Sequence, residues 1–178
     1  YLRLSVTDRC NFRCTYCSPA TWGGTSELLT RQEIARLTGI FARMGVSRVR
    51  LTGGEPLYRK DLTAIAEGVR ATEGIRQVAL TTNGFFLAKA APALRAAGVD
   101  QLNISVDSLD PAIFERLSGG GSLAEVLAGV EAALAAGFSA VKLNTVVVRG
   151  VNEHELVPIA RWAWERGVVP RYIECMPF

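Results

Sequence analysis

The amino-acid sequence predicts an α/β fold, a partial (βα)6 TIM-type barrel with parallel strands. Strand-like and helix-like segments alternate along the 178 residues, at a spacing of roughly 30 residues that is typical of βαβ units. Such units imply parallel strands joined by right-handed crossovers. Six units are too few to close an eight-stranded barrel, so both an open doubly wound sheet and a partial barrel are compatible with the alternation.

The predicted elements follow from local patterns in each unit. The strand candidates cover 2–7, 47–52, 77–82, 101–106, 140–148 and 169–174. Helical segments lie between them, and three of these begin with the spacing of a capping box. The pairs are Thr30 with Glu33, Ser122 with Glu125 and, more weakly, Asn152 with Glu155. We expect the first two helices to end near Gly45 and Gly137, and the third to cover 156–166.

Five consecutive strands keep one polar face, because side chains two residues apart share a face of a strand. A parallel sheet with helices on both sides should be apolar on both faces. An amphipathic sheet facing solvent is the simpler alternative, but helical crossovers normally cover a parallel sheet. We therefore favour a hollow partial barrel whose polar interior holds a ligand. The shared face carries Arg3, Ser5, Thr7, Arg50, Thr52, Gly54, Ala79, Thr81, Asn83, Asn103, Ser105, Asp107, Lys142 and Asn144.

Composition excludes several classes of protein. With 49% hydrophobic and 21% charged residues, the chain has the make-up of a globular domain. The net charge of +3 comes from scattered residues without a basic stripe, so we expect no nucleic-acid partner. No apolar run approaches the roughly 18 residues of a membrane span, and no leader argues for secretion. Three of the four cysteines lie within eight residues, which indicates a metal in a reducing compartment, the cytoplasm.

The three clustered cysteines carry the strongest chemical signal. Cys10, Cys14 and Cys17 follow the first strand with the spacing C-x3-C-x2-C. Three thiolates can ligate three irons of a 4Fe–4S cluster and leave the fourth iron open to an exogenous ligand. The loop also lies where barrel active sites are built, at the carboxyl end of a strand. The alternative is a structural zinc site, whose fourth ligand would have to be Cys175 or His154.

Two motifs together resemble the radical S-adenosylmethionine superfamily. The first is the cysteine motif with an aromatic residue, Tyr16, before its last cysteine; the second is Gly53-Gly54-Glu55-Pro56 after the second strand. The resemblance implies a six-unit partial barrel whose 4Fe–4S cluster binds S-adenosylmethionine and cleaves it to a 5′-deoxyadenosyl radical. Glycine at these positions would allow the backbone to approach the methionine end of the cofactor.

A finer resemblance, along essentially the whole chain, is to the GTP 3′,8-cyclase family of molybdenum cofactor biosynthesis. The similar segments are 4–10, 50–56, 80–84, 103–109, 141–146 and 171–177. This resemblance implies contacts to S-adenosylmethionine from Tyr16, Gly54, Ser105 and Met176, and contacts to the substrate GTP from Arg3, Arg50, Thr81 and Lys142. A reducing electron donor would be a further partner. A peptide-modifying maturase shares both motifs, but a peptide offers no triphosphate to three inward cations.

The sequence departs from the cyclase pattern at its end. The family carries a second three-cysteine cluster and a terminal glycine pair, whereas this chain stops at Phe178, directly after the sixth strand. We expect residues 1–178 to form one radical S-adenosylmethionine partial-barrel domain, a fragment without the C-terminal second-cluster domain. On the sixth strand, Arg171 and Met176 have opposite parity, so both face the interior only if a bulge intervenes.

Overall fold

The structure is a computed structural model that describes residues 1–17 and 27–176. The elements are β1 (Leu2–Ser5), α1 (Arg31–Arg43), β2 (Arg48–Thr52), α2 (Leu62–Ala71), β3 (Gln77–Thr82), α3 (Leu87–Ala96), β4 (Gln101–Ser105), α4 (Pro111–Ser118), α5 (Leu123–Ala135), β5 (Ala140–Val147), α6 (Leu156–Glu165) and β6 (Val169–Glu174). Two short 3₁₀ turns, Pro56–Tyr58 and Glu153–Glu155, precede α2 and α6. No helix in the described ranges is long and apolar enough to cross a membrane.

All six strands are parallel and lie in the order in which they occur along the chain, from β1 to β6. A doubly wound sheet would reverse its strand order at a switch point, and this sheet has none. Within the described residues β1 and β6 do not pair with each other, so the sheet is not closed. The predicted partial barrel of six βα units is confirmed.

One face of the sheet forms the core. Leu4, Leu51, Leu80, Leu102 and Val141 stand side by side in register across five strands, and all five are buried. Burial of such side chains against the helices is the main favourable term, at about 25 cal/mol for each Å² of apolar surface. The residues between them point to the opposite face.

The opposite face is the predicted polar one, and the strand register brings its residues together. Arg3 lies opposite Arg50, and Asn103 lies opposite both Thr81 and Lys142. The register also pairs Ser105 with Asn144, whose partner on β6 is Arg171. The polar row therefore continues onto the sixth strand. Met176 lies beyond the end of β6, so strand parity does not apply to it.

The helix starts agree with the sequence prediction in two cases and differ in the third. Thr30 and Glu33 form a complete capping box at α1, and Ser122 accepts a hydrogen bond from the Glu125 amide at α5. Gly45 and Gly137 follow these helices with positive φ angles, as expected for helix ends. The third prediction was wrong: the side chain of Asn152 caps no helix.

Asn152 and Glu155 instead bind the loops that follow β4 and β5. The buried Asn152 side chain accepts a hydrogen bond from the Val148 amide and donates to the carbonyl groups of Asp107 and Val146. The buried Glu155 carboxylate accepts hydrogen bonds from the loop after β4. Buried backbone N–H and C=O groups need hydrogen-bond partners. The Asn152 side chain supplies them to these loops and is therefore not available to cap a helix.

Candidate functional site

A cavity of about 180 Å³ opens at the carboxyl ends of the strands, between the loop after β1 and the polar face of the sheet. Its lining combines thiols, glycines, hydroxyls and buried carboxylates. The residues are Cys10, Phe12, Cys14, Tyr16, Cys17, Thr52, Gly53, Gly54, Glu55, Thr81, Thr82, Asn83, Ser105, Asp107, Phe114 and Ser118. All three clustered cysteines thus line one cavity, as the sequence predicts for a common ligand.

Residues 7–17, the cysteine loop, are held in place on the carboxyl end of α4. The amides of Arg13 and Thr15 donate to the carbonyl groups of Ser118 and Leu117 at 2.8 and 2.9 Å. The ring of Phe12, which is buried, packs edge-on against Phe85 and Phe114. These contacts fix the backbone that carries the thiols without using any thiol.

The two glycines after β2, Gly53 and Gly54, lie in very close contact with the backbone of the cysteine loop. The amide of Gly54 donates to the carbonyl of Thr7 at 2.8 Å, and the amide of Glu55 donates to that of Arg9 at 2.7 Å. A Cβ atom at Gly53 would lie 2.3 Å from the Thr7 carbonyl oxygen, and one at Gly54 would lie 2.3 Å from that of Arg9. In this structure the glycines are therefore required by loop packing, a reason in addition to an approach of the backbone to a cofactor.

Glu55 of the same motif joins the ends of β2 and β3. Its buried carboxylate accepts from the Leu57 amide at 2.9 Å and from the Thr82 hydroxyl and the Asn83 amide, both at 2.7 Å. Burial raises the pKa of Glu55 to about 7, against the opposing effect of the three donors. The carboxylate is engaged with protein groups and holds the cavity wall together.

The three thiols suit an iron–sulfur cluster better than a single ion. Burial raises the pKa of Cys14 to about 12 and also raises that of Cys10, so ionisation of these thiols requires nearby positive charge of the kind that bound metal supplies. Within the described residues, no three His, Cys, Asp or Glu side chains converge on a point that would hold one ion. Thiolates of a 4Fe–4S cluster ligate separate irons and need no such convergence.

Two N–H groups point towards the sulfur atom of Cys10. The Phe12 amide lies 3.4 Å from the Cys10 sulfur, and the Asn83 side-chain amide lies 3.9 Å from it. Asn83 also donates to the side chain of Asn11 at 2.9 Å. Such donors stabilise negative charge on a ligand sulfur and influence the potential of a cluster.

The two residues that the sequence offered as a fourth zinc ligand, Cys175 and His154, lie away from the cavity. Cys175 lines a separate cavity with Arg149, Glu153 and Tyr172, and His154 is exposed on the 3₁₀ turn before α6. All four cysteines are free thiols. The thiols at the cavity are therefore the three cysteines of the motif, a set that fits a cluster with one open iron.

Arg3, Arg50 and Lys142, the inward cations, form no ion pair with any residue that the structure describes. The sequence left open an ion pair of Arg50 or Lys142 with Glu55 or Asp107, and no such pair forms in the described part of the chain. The Arg50 guanidinium lies 5.4 Å from the centroid of the Tyr1 ring, and its buried Nε atom has no hydrogen-bond partner. An orphaned buried donor costs free energy that an anion in the barrel would recover.

The structure gathers most, but not all, of the predicted site residues. Besides the cysteines, Tyr16, Gly54, Ser105 and Thr81 line the cavity. Arg3, Arg50 and Lys142 share the polar face but lie further towards the amino ends of their strands. Met176 is 65% exposed and does not line the cavity.

Sequence reasoning missed the groups that support the cysteine loop. Phe12 is the one strongly apolar side chain in an otherwise polar stretch, a signal that could have indicated its packing role. The carbonyl groups of Leu117 and Ser118 carry no sequence signal, since any residue presents a carbonyl.

Fold and site together define a partial-barrel protein with a three-thiol loop at the carboxyl ends of its strands, the architecture of a cluster-dependent enzyme. Residues 4–163 match the Radical SAM superfamily. The chain belongs to this superfamily, in which a 4Fe–4S cluster and S-adenosylmethionine are the cofactors.

The curated relatives include two proteins named GTP 3′,8-cyclase. The one from Aeromonas hydrophila is 49% identical over 99% of this chain and 54% of its own length. The one from Hydrogenovibrio crunogenus is 46% identical over 99% of this chain and 55% of its own length. The chain thus spans about half the length of the curated relatives that it matches.

Solved structures share the fold at much lower identity. Streptococcus suis SuiB bound to its precursor peptide SuiA has a TM-score of 0.84 at 15% identity, covering 98% of this chain and 39% of SuiB. Methylornithine synthase (PylB) has a TM-score of 0.79 at 20% identity, covering 99% of this chain and 54% of the synthase. Native anSMEcpe with bound AdoMet has a TM-score of 0.72 at 17% identity, covering 99% of this chain and 52% of that protein. These likenesses confirm the predicted fold.

Proposed function

We propose that this chain is the cluster-bearing core of a GTP 3′,8-cyclase, which converts GTP to 3′,8-cyclo-7,8-dihydro-GTP in molybdenum cofactor biosynthesis. The observation that carries the proposal is the identity of 46–49% to two cyclases over nearly the whole chain. SuiB, whose structure was solved with a precursor peptide, shares the fold at only 15% identity, which does not favour a peptide substrate here. Clustered free thiols support a reducing compartment, so we propose a cytoplasmic enzyme.

Cys10, Cys14 and Cys17 would hold the cluster. When bound, the reduced cluster supplies the electron that cleaves S-adenosylmethionine to methionine and a 5′-deoxyadenosyl radical, and a reducing protein or small molecule must provide that electron. The chain's own task is to place the cofactor between the thiols and the β4 end of the sheet. Tyr16, Gly54 and Ser105 support this role because they line the same cavity as the three thiols.

The polar face would hold GTP with its triphosphate towards the inward cations. Guanidinium and ammonium groups make charge-assisted bonds to phosphate, and the unpartnered Arg50 Nε provides a donor already desolvated. Arg3 lies opposite Arg50 in register, and Lys142 lies two strands beyond Thr81 on the same face. Thr81 lines the thiol cavity as well, so it would lie between the phosphates and the reacting end.

Anaerobic reconstitution followed by low-temperature EPR tests the cluster and its cofactor. We expect a 4Fe–4S signal in the reduced protein that shifts when S-adenosylmethionine is added and is lost in Cys14→Ala. Cys175→Ala is the matched control: it should leave the signal unchanged, because Cys175 lines another cavity. Stoichiometric zinc with loss of metal in Cys175→Ala would overturn the cluster assignment and favour the alternative, a structural zinc site in a non-catalytic protein.

Ligand competition tests the substrate. We expect GTP to bind more tightly than GMP and GMP more tightly than guanosine, because the inward cations would contact the phosphates. A precursor-type peptide should not displace GTP. Equal affinity for guanosine and GTP, or displacement by the peptide, would contradict the cyclase proposal while leaving the radical S-adenosylmethionine class intact.

A further inference from the structure

Asp107, at the end of β4, connects two parts of the molecule that meet at the cavity. Its buried carboxylate accepts a hydrogen bond from the Tyr16 hydroxyl on the cysteine loop. The same carboxylate accepts from the Val146 amide of β5 at 2.7 Å. Tyr16 lies between Cys14 and Cys17, so this one side chain ties the loop that carries the thiols to the strands of the barrel.

Asp107 is itself fixed by a buried neighbour. The Asn152 side-chain amide donates to the Asp107 carbonyl at 2.7 Å and to the Val146 carbonyl at 2.8 Å, while its oxygen accepts from the Val148 amide at 2.8 Å. Both the backbone and the side chain of Asp107 are therefore held. A buried carboxylate is costly unless its partners are fixed, and here they are.

The hydrogen bond from Tyr16 to Asp107 fixes where the Cys14 and Cys17 thiols lie relative to the sheet. The backbone turn from Cys14 to Cys17 is closed by a 3.0 Å hydrogen bond from the Cys17 amide to the Cys14 carbonyl. The Tyr16 ring projects from this turn to Asp107, which is two residues beyond Ser105 on β4. Rotation of the turn away from β4 would break the Tyr16–Asp107 hydrogen bond.

We infer that Asp107 is a positioning residue which, through Tyr16, orients Cys14 and Cys17 and sets the spacing between the cluster and the β4 wall that faces S-adenosylmethionine. The inference rests on the proposed function, since it needs a cluster and this cofactor. It assigns to Asp107 no direct contact with either. Groups that orient metal ligands typically change affinity or activity by about 10–100-fold when they are removed.

A double-mutant cycle with a spectroscopic readout tests the inference. Asp107→Asn, Tyr16→Phe and the double variant are reconstituted anaerobically, and S-adenosylmethionine is titrated against the EPR signal of the reduced cluster. We expect each single variant to keep its iron but to bind the cofactor at least about tenfold more weakly. The double variant should be no weaker than Tyr16→Phe alone, because once the Tyr16 hydroxyl is gone the change at Asp107 has no hydrogen bond to the cysteine loop left to weaken.

Glu155→Gln is the matched control. Glu155 is a buried carboxylate that accepts from the Ser108 hydroxyl, from the Leu109 amide at 2.7 Å and from the Asp110 amide at 3.2 Å, so it supports the same loop without contacting Tyr16. Its variant should lower the unfolding temperature and leave the cofactor affinity within twofold of wild type. An equal loss of affinity in Glu155→Gln would overturn the inference and show general loop destabilisation instead.

Two further outcomes are distinguishable. If wild type responds to S-adenosylmethionine and Asp107→Asn binds it within twofold, or if the two single effects add, the positioning role is wrong and the proposed function stands. If wild type acquires a cluster that does not respond to the cofactor, the proposed function fails, and the inference that rests on it fails too.

Discussion

At the scale of single residues, the loop glycines are the least replaceable backbone positions of the site. A side chain at Gly54 would have to displace backbone atoms of Arg9 and Asp8, which cannot move aside as a flexible side chain can. Because the Gly54 and Glu55 amides hold the cysteine loop through two hydrogen bonds, such a displacement would reach the thiols.

We predict that Gly54→Ala lowers both the iron content after anaerobic reconstitution and the stability. Inserting a methyl group against fixed backbone costs about 1–3 kcal/mol. Iron per chain and the unfolding temperature measure the two effects. Gly68→Ala in α2 is the control, since a Cβ there meets nothing within 4 Å and should stabilise the helix by about 0.5–1 kcal/mol. If Gly54→Ala bound as much iron as wild type, the loop after β2 could move away from the cysteine loop without disturbing the thiols, and the prediction would be wrong.

Residue-level prediction of position from the sequence was possible where the chemistry is unusual, while the roles of these residues stay predictions. Three closely spaced cysteines and a strand face that carries Arg3, Arg50 and Lys142 stand out against any background. The reasoning failed for Asn152, whose spacing to Glu155 imitates a cap. A polar side chain that binds backbone groups of distant loops gives the same local pattern, and only the tertiary structure separates the two.

At the scale of elements, α5 packs against the start of α3 through a glycine. A Cβ at Gly129 would lie 2.4 Å from the carbonyl oxygen of Gly84 and 3.1 Å from the Cβ of Leu87. Gly84 itself has a φ of 82°, which favours glycine. The closeness of these elements depends on two residues without side chains.

We predict that Gly129→Ala destabilises the protein although alanine favours helix. Separation of α5 from the turn before α3 should cost about 1–3 kcal/mol, more than the gain in helix propensity. Urea unfolding measures the difference. Gly39→Ala in α1 is the control, because its Cβ would make only an ordinary 3.6 Å contact with the Arg43 side chain. A stabilised Gly129→Ala would mean that α5 can shift freely.

Element boundaries were predictable because each unit carries local signals. The predicted bounds of β3 and β6 agree with the structure, and α1 begins after its capping box. The first strand was predicted two residues too long. It ends at Ser5 because the Thr7 carbonyl turns to the Gly54 amide of the next loop. The alternation of polar and apolar residues along the sequence does not reveal such a contact between loops.

At the scale of the whole molecule, the barrel has an apolar exterior wall beneath the helices and a cationic interior. In the described residues the buried Nε atom of Arg50 has no hydrogen-bond partner, so the protein without ligand carries the cost of an unsatisfied donor there. Function and stability therefore oppose each other at this position.

We predict that Arg50→Met stabilises the ligand-free protein and weakens GTP binding by about tenfold or more, the equivalent of one hydrogen bond to a charged group. The unfolding temperature without ligand and a calorimetric titration with GTP measure the two effects. Arg36→Met, at an exposed position on α1, removes the same charge and should change neither. An equal loss of affinity in both variants would indicate a net-charge effect in place of a specific contact.

The choice between a doubly wound sheet and a partial barrel was also predictable at this scale. Five polar strand faces in succession favour an interior that holds a ligand, and the observed strand order agrees. The sequence did not predict the depth of the cavity or the position of Met176 outside it. Both depend on the conformations of the segments that follow the strands, which strand patterns do not determine.

The docking of the cysteine loop on α4 has a consequence for biosynthesis. Among the described residues each strand pairs only with strands adjacent to it in the chain, so the sheet can grow one βα unit at a time as the polypeptide leaves the ribosome. The thiols emerge with the first unit, but the carbonyl groups of Leu117 and Ser118 that hold their loop emerge with the fourth. Until then the loop can be held at Thr7 and Arg9 by the amides of Gly54 and Glu55, but the hydrogen bonds of the Arg13 and Thr15 amides cannot form. We therefore expect cluster insertion to follow the assembly of the first four units rather than to guide it.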